Sequence, residues 1–513
     1  MGKLLKSTRI VSGMTMISRV FGLVRDVVLA RFFGAGLGLD VFIVAFRIPN
    51  FLRRLFAEGG FSQAFVPVLS EYRETRSEDE VKALLDQTVA TLGMALLLIS
   101  VIGIVAAPLL IALFAPGFID DGDKYALASD MLRITFPYIL FISLTAFAGA
   151  ILNTYRNFAV PAFTPVLLNL SLIACAVWLA PHFPEGKEVV ALAWGVLIAG
   201  GVQLAFQFPF LLRLGLIPRP RFDRDKEGVS RILVLMVPTL FAISVTQVNL
   251  LVDTLIASFL QTGSISWLYY SDRLVEFPLG VFGVALATVI LPNLSAEHAK
   301  GSTQDYSRIM GWAIGLVLLI SLPAAAGLML MAKPLLTTLF QYAEFTTNDV
   351  IMASKSLTAY AVGLPGFILI KVLSSGFFAR QDTRTPVKIA VIAMLSNIVL
   401  NVILVFPLAH AGLALATSLS AYINAGLLYI YLKRAGYYVP GKSIAGLLIR
   451  IVAGLLVMIS LLGYFLPASI FWFDWNVFHR VFELIIWVCF GVLVYFATLW
   501  LTGLRYNQMS SPS

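Results

Sequence analysis

Runs of about twenty apolar residues recur from one end of this chain to the other, and no other feature constrains its fold as hard. Wound as an α-helix, such a run crosses a hydrocarbon core of about 30 Å. In that core every backbone N–H and C=O needs an internal partner, so only helices and closed barrels can span it. Stretches such as "VLLNLSLIACAVWLA" (166–180) are continuous in their apolarity. They lack the apolar-out, polar-in alternation of a barrel strand. Composition agrees: of 513 residues 59% are hydrophobic and 13% charged, against about 25% charged in a soluble chain. The mean hydropathy is +0.89. The expected fold class is an all-α polytopic membrane protein.

About fourteen spans are expected, near 9–34, 38–66, 84–114, 127–152, 160–181, 189–213, 231–261, 266–292, 308–333, 350–378, 387–408, 411–432, 444–467 and 480–503. The connections are short, so no sizeable soluble domain is expected. Lys and Arg concentrate in alternate connections, including Arg213, Arg219, Arg221, Arg224, Lys226 and Arg231 around a single one. The opposite side holds Lys124, Lys187, Lys333 and Arg480. The positive-inside rule then places both termini in the cytoplasm. Lys3, Lys6 and Arg9 precede an apolar run without a clear small-residue cleavage site, which reads as an uncleaved first helix. Cys175 and Cys489 both lie in apolar segments, against a disulfide framework.

The chain repeats itself. "VLARFFGAG" (28–36) lines up with "LIASFLQTG" (255–263), "FVPVLSE" (65–71) with "ILPNLSAE" (290–297), and "ILNTYRNFAVP" (151–161) with "FFARQDTRTP" (377–386). Three matches in one order, at an offset of about 225 residues, mark a duplication. The expected organisation is an N-lobe over 1–215 with six helices, a Pro- and charge-rich cytoplasmic linker over 216–230, and a C-lobe over 231–436 with six more. Two extra helices and a tail fill 437–513. An even number of helices per copy gives two parallel repeats, which implies two lobes rocking around a central cavity.

Charges inside the spans cost about 2.5–3.5 kcal/mol each at a helix centre, so they ordinarily face a cavity or a partner. They gather in the first two helices of each copy: Arg19, Arg25, Asp26, Arg31, Asp40, Arg47, Arg53, Arg54 and Glu58, then Asp253, Asp272, Arg273 and Glu276. Arg19 and Arg25 stand about 9 Å apart along a helix axis and about 120° apart around it. The second helix is expected to break at Pro49 within "PNFLRRLF", before Arg53 and Arg54. Arg273 falls in the outer half of the membrane, so the cations form a ladder across it. Guanidinium groups grip phosphate oxygens through paired N–H bonds, and such a ladder suits a phosphorylated anion in transit. The competing reading is internal pairing with the acids, with Arg31 and Arg47 snorkelling or paired.

A second constellation is acidic and amide-rich: Asn249 and Asp253 at i, i+4, Asn397 and Asn401 at i, i+4, and Thr417. Asp253, Asn397, Asn401 and Thr417 supply the oxygen ligands of a hard monovalent cation, with sodium as the coupling ion; interhelical hydrogen bonding is the alternative. There is no G-x-x-x-x-G-K-[ST] loop and no H-E-x-x-H, so nucleotide hydrolysis is not the energy source and enzyme function is disfavoured. No resident cofactor is expected, and the partners are membrane lipids, not nucleic acid.

"SGMTMISRVFGLVRDVVLARFFGAG", "FRIPNFLRRLFAEGGFSQAFVPVLSEY", "YYSDRLVEFPLGVFGVALATVILPNLS" and "RQDTRTPVKIA" resemble the MurJ (MviN) lipid II flippases of the multidrug/oligosaccharidyl-lipid/polysaccharide exporter superfamily. The resemblance covers nearly the whole chain. It implies a bacterial inner-membrane transporter that moves lipid II, an undecaprenyl-diphosphate-linked disaccharide-pentapeptide, to the periplasmic leaflet by alternating access, for peptidoglycan synthesis. It further implies functional charges at Arg19, Arg25, Asp40, Arg53, Arg54, Arg273 and Glu276, and a groove for the polyprenyl tail at the last two helices. The alternatives are an exporter of another lipid-linked oligosaccharide, a cation-coupled multidrug antiporter, which would want an acidic cavity, and a polyprenyl-phosphate glycosyltransferase, which would want an acidic catalytic loop.

Overall fold

The computed structural model describes residues 2–54, 60–222 and 227–505, with the backbone alone for 2–10, 12, 238–246, 284 and 442–444. Among the described residues there is no strand. The first copy comprises α1 (Gly2–Phe33), α2 (Leu37–Arg53), α3 (Ser62–Thr75), α4 (Glu78–Val105), α5 (Ala107–Phe114), α6 (Gly122–Thr135), α7 (Tyr138–Thr154), α8 (Ala159–Ala174) and α9 (Val190–Arg213). The second comprises α10 (Glu227–Ser258), α11 (Ser264–Pro278), α12 (Val284–Ala299), α13 (Thr303–Leu330), α14 (Ala332–Phe340), α15 (Thr347–Phe378), α16 (Arg384–Leu408) and α17 (His410–Arg434). Then come α18 (Lys442–Phe465), the short α19 (Ser469–Asp474) and α20 (Val477–Leu501). Among the described residues, eleven helical stretches are long and apolar enough to cross a membrane, which makes this a multi-span membrane protein. The other three expected spans, 9–34, 38–66 and 231–261, run over residues that are not fully described.

The duplication is built into the helix ends. Thr303 opens α13 225 residues after Glu78 opens α4, and Ala332, Thr347 and Arg384 stand at the same offset from Ala107, Gly122 and Ala159. The caps recur with them. The Ser77 hydroxyl accepts the Glu80 N–H and the Ser302 hydroxyl accepts the Asp305 N–H. Asp121 does the same for Lys124, and Thr346 for Asp349. Each cap satisfies an amide that the first helical turn leaves without a partner. The turn after α7 and the turn after α15 also match. Arg156 and Gln381 sit at φ 62° and 61°, where a Cβ is disfavoured. The next N–H, of Asn157 or Asp382, closes on the C=O of Leu152 or Phe377 at 2.8 and 3.0 Å.

The copies differ at two prolines. Pro137 separates α6 from α7, as a residue without an N–H that clashes with the preceding turn should. Its counterpart 225 residues on, Val362, lies inside α15, which runs unbroken for 32 residues. Pro49 corrects the expectation from sequence: α2 continues through it to Arg53. Pro49 is buried among neighbouring helices, and in a membrane-spanning helix such neighbours and local adjustment can offset the lost backbone bond.

The chain folds as two compact units, Met1–Gly263 and Ser264–Ser513. In the first, the rings of Phe61, Phe65 and Phe147 stack and tilt at 5.0 to 6.0 Å between centroids and pack with Leu69, Leu84 and Ile151. Leu216 joins this core, and the N–H of Arg219 donates to Asp86 Oδ1 at 2.6 Å, so residues 216–222 lie against α4. In the second unit α15 and α17 pack backbone to backbone. A Cβ at Gly363 would sit 2.5 Å from Ser418 Oγ, and that hydroxyl donates to the Ala359 C=O at 2.7 Å. Small residues at such a seam let membrane helices approach closely. Helices α18 and α20 pack on α13 through Leu319, Ile451, Met458, Leu462 and Tyr495.

Candidate functional site

In the first unit, Arg25 on α1 is tied to two helices. Its Nε and Nη2 donate to Asp26 Oδ1 at 2.9 and 2.7 Å, and its Nη1 donates to Asn169 Oδ1 of α8 at 3.0 Å. Asn169 returns a bond from Nδ2 to the Ser18 C=O at 3.2 Å. The Arg25 side chain is 11% exposed and that of Asp26 3%. Asn169 was not singled out from sequence; an asparagine amid the apolar run of α8 is the signal that could have found it. Arg19 is half-buried on the same helix, and Arg31 is exposed in its last turn.

The α2 charges take different partners. Asp40 is buried and accepts the backbone N–H of Gly263 at 2.7 Å. Arg47 Nη1 donates to the Thr254 hydroxyl of α10. Arg54 Nη1 donates to Gln247 Oε1 of α10 at 3.3 Å, and Arg53 Nε to Asn50 Oδ1 at 2.9 Å. Glu58 lies outside the described residues.

In the second unit, Arg273 contacts two residues of its own helix. Nη1 donates to Glu276 Oε2 at 2.6 Å, and the guanidinium lies over the Tyr269 ring, 4.9 Å from its centroid. Arg273 and Glu276 are 34% and 46% exposed. The polar set on α16 and α17 also assembles. Asn401 Nδ2 donates to Asn397 Oδ1 at 3.1 Å, and Asn397 Nδ2 to Thr417 Oγ1 at 3.4 Å. Both asparagines are fully buried. Asp253, which belongs to the first unit, is half-buried on α10. One turn before it, the buried Asn249 Oδ1 has no hydrogen-bond partner among the described residues. No cluster of three His, Cys, Asp or Glu that could hold a metal occurs among the described residues.

Two of the four basic residues expected on the outer side turn out to be structural. Lys124 is buried, with Nζ 3.2 Å from Thr262 Oγ1 and 4.6 Å from the Phe118 ring centroid. Buried Arg480 donates to the C=O groups of Thr337, Gln341 and Phe473, which fastens the start of α20 to the ends of α14 and α19.

Residues 29–486 match the family described as lipid II flippase MurJ. A probable lipid II flippase MurJ of Vibrio cholerae is 48% identical over 100% of this chain and 98% of its own. A lipid II flippase MurJ of Burkholderia cenocepacia is 42% identical over 97% of each. Among solved structures, a lipid II flippase MurJ in an inward closed conformation superposes with a TM-score of 0.80 at 29% identity, covering 95% of this chain and 97% of that one. An inward-facing MATE-family multidrug resistance transporter of the MOP superfamily shares the fold, with a TM-score of 0.66 at 16% identity over 83% of this chain and 97% of its own.

Proposed function

The chain belongs to the lipid II flippase MurJ family, and we propose on that footing that it moves lipid II from the cytoplasmic to the periplasmic leaflet of a bacterial inner membrane by alternating access. This is transport, not catalysis. The observation that carries the reading is the set of in-span arginines on α1, α2 and α11, whose forked N–H groups match a diphosphate. Arg19, Arg25, Arg53, Arg54 and Arg273 are the proposed anion contacts, with Asp40 and Glu276 shaping the set. The apolar, exposed faces of α18 and α20, with Ile449, Leu456, Phe482 and Leu493, suit the polyprenyl tail. A multidrug antiporter of the same fold would want an acidic cavity, which this excess of arginine disfavours. The decisive experiment is flipping by the purified protein in proteoliposomes, with labelled lipid II set beside polyprenyl-diphosphates bearing other sugars. Selective movement of lipid II is expected; equal movement of all, or of none, overturns the reading.

Both termini are proposed to be cytoplasmic, from the distribution of Lys and Arg. Membrane potential then helps the outward step where the arginines stay fixed in the field while the substrate moves, because an inside-negative field acts on each substrate charge by about 2.3 kcal/mol per 100 mV; arginines that moved with the substrate would cancel much of that help. A sodium ion near Asp253, Asn397, Asn401 and Thr417 is proposed to reset the empty carrier. The buried Asn249 oxygen one turn from Asp253 supports it, since a buried acceptor without a donor is costly. A bound cation biases the cycle only by its differential affinity for the two states. A sodium dependence of flipping that survives Asp253→Asn would overturn this coupling.

A further inference from the structure

The start of α20 carries a carboxylate for which lipid II transport has no task. Glu483 lies about 9 Å along the helix from its first residue, Val477. Its neighbours Val481, Phe482, Ile485 and Ile486 are exposed and apolar, so α20 faces lipid here. An acid at the edge of a span is costly unless a partner meets it. Glu483 Oε2 accepts the indole N–H of Trp487 at 2.9 Å, and Oε1 stands 3.9 Å from His479 Nε2. Among the described residues it makes no ion pair with Lys or Arg. Arg480, on the preceding turn, gives its N–H groups to the carbonyls of Thr337, Gln341 and Phe473.

Aromatic rings line the same end of the helix. His479, Glu483 and Trp487 stand four residues apart, on one face. The Trp475 and His479 rings meet edge to face at 4.4 Å, and Trp472 lies 5.1 Å from Trp475. The Glu483 side chain is 21% exposed and that of His479 45%, so a ligand can reach both. A carboxylate among an imidazole and indoles is the chemistry that holds an alkylammonium: the acid supplies charge and acceptors, and ring faces attract the cation. A metal ion would want more ligands, and no cluster of three His, Cys, Asp or Glu occurs among the described residues.

We propose that Trp475, His479, Glu483 and Trp487 form a headgroup site for a phospholipid with a primary ammonium, of the phosphatidylethanolamine type. Indoles belong at the membrane–water interface, the depth of such headgroups. The exposed Phe478, Val481, Phe482 and Ile485 give its acyl chains an apolar flank. An anionic phospholipid would meet the carboxylate with like charge. With both termini cytoplasmic, this end of α20 lies in the outer leaflet. The site does not depend on what the chain transports.

The test is the melting temperature of the delipidated full chain in detergent, titrated with phosphatidylethanolamine, its N-acetylated form, phosphatidylglycerol, or ethanolamine alone. Phosphatidylethanolamine should raise it saturably and the other three should not. Glu483→Gln keeps an oxygen for the Trp487 N–H and removes the charge. It should weaken the half-saturating phosphatidylethanolamine concentration about tenfold, the scale of one hydrogen bond to a charged group. An equal response in Glu483→Gln, or an equal response to the N-acetylated lipid or to phosphatidylglycerol, overturns the proposal. A full response to ethanolamine alone overturns the phospholipid as occupant. Should Glu483→Gln fail to fold, the wild-type comparison of free and N-acetylated headgroups carries the same decision.

Discussion

Arg25 and Arg273 are both in-span arginines expected to meet the same anion, yet the protein holds them in opposite ways. Arg25 is anchored across two helices by a buried carboxylate and a buried amide. Arg273 leans on its own helix, against a half-exposed glutamate one turn on and the face of a tyrosine one turn back. The first arrangement fixes a guanidinium plane to within a bond angle and removes it from solvent. The second leaves the guanidinium and its glutamate partner partly open to solvent. An anion reaching Arg25 competes with Asp26; one reaching Arg273 competes with a partner that water already reaches.

The sharpest way to break that contrast is to remove the buried acid. Asp26→Ala leaves the Arg25 charge buried without its carboxylate, at a cost of about 3–5 kcal/mol. A large fall in melting temperature in detergent is expected, and Glu276→Ala should shift it far less. Equal shifts would mean that the two sites are held alike. Next comes the shape of the cation. Arg25→Lys keeps charge but cannot reach Asp26 and Asn169 together, so flipping should drop about tenfold at normal protein level, in line with the loss of one charged hydrogen bond. Arg273→Lys, which can still pair one turn along its helix, should stay within about threefold on the same reasoning. If Arg273→Lys proves the more damaging, the anion depends on the more open arginine and not on the buried one.

The smallest effect is expected outside the membrane interior. Glu71 pairs with Arg231 at 2.7 Å, both about half exposed, and the Arg231 hydrogen bond holds the Glu71 carboxyl below its ordinary pKa. A depressed carboxylate adds stability above the unfolded-state value, and that contribution fades as pH falls through the folded one. Solvent and salt screen such a pair. Glu71→Gln should therefore leave the melting temperature at neutral pH unchanged; a clear drop would show that this surface pair matters more than its exposure implies.

The helical class, most of the spans and the duplication were legible in the sequence, because each rests on pattern along the chain: apolar length and a shared offset. What the sequence hid is what closes over long separations. Asn169 reaches Arg25 from 144 residues away, and Gln247 reaches Arg54 from 193. No period or motif reports such pairings. The excess of arginine over acid was visible, but not that Arg25 takes its own sequence neighbour as a partner while Arg47 reaches Thr254 and Arg54 reaches Gln247 on α10. Pro49 and Pro137 make the same point for the backbone. Both are prolines in apolar helices, and only packing distinguishes the one that α2 absorbs from the one that parts α6 and α7.

That parting has a mechanical meaning. At about 1.5 Å per residue, α15 is a rod of about 48 Å that runs through Pro365, where one backbone bond of its ladder is missing. The equivalent stretch of the first copy is jointed at Phe136 and Pro137, where two shorter rods meet without that ladder. The two copies of the duplicated fold thus place a proline differently, between two helices in the first and inside one helix in the second.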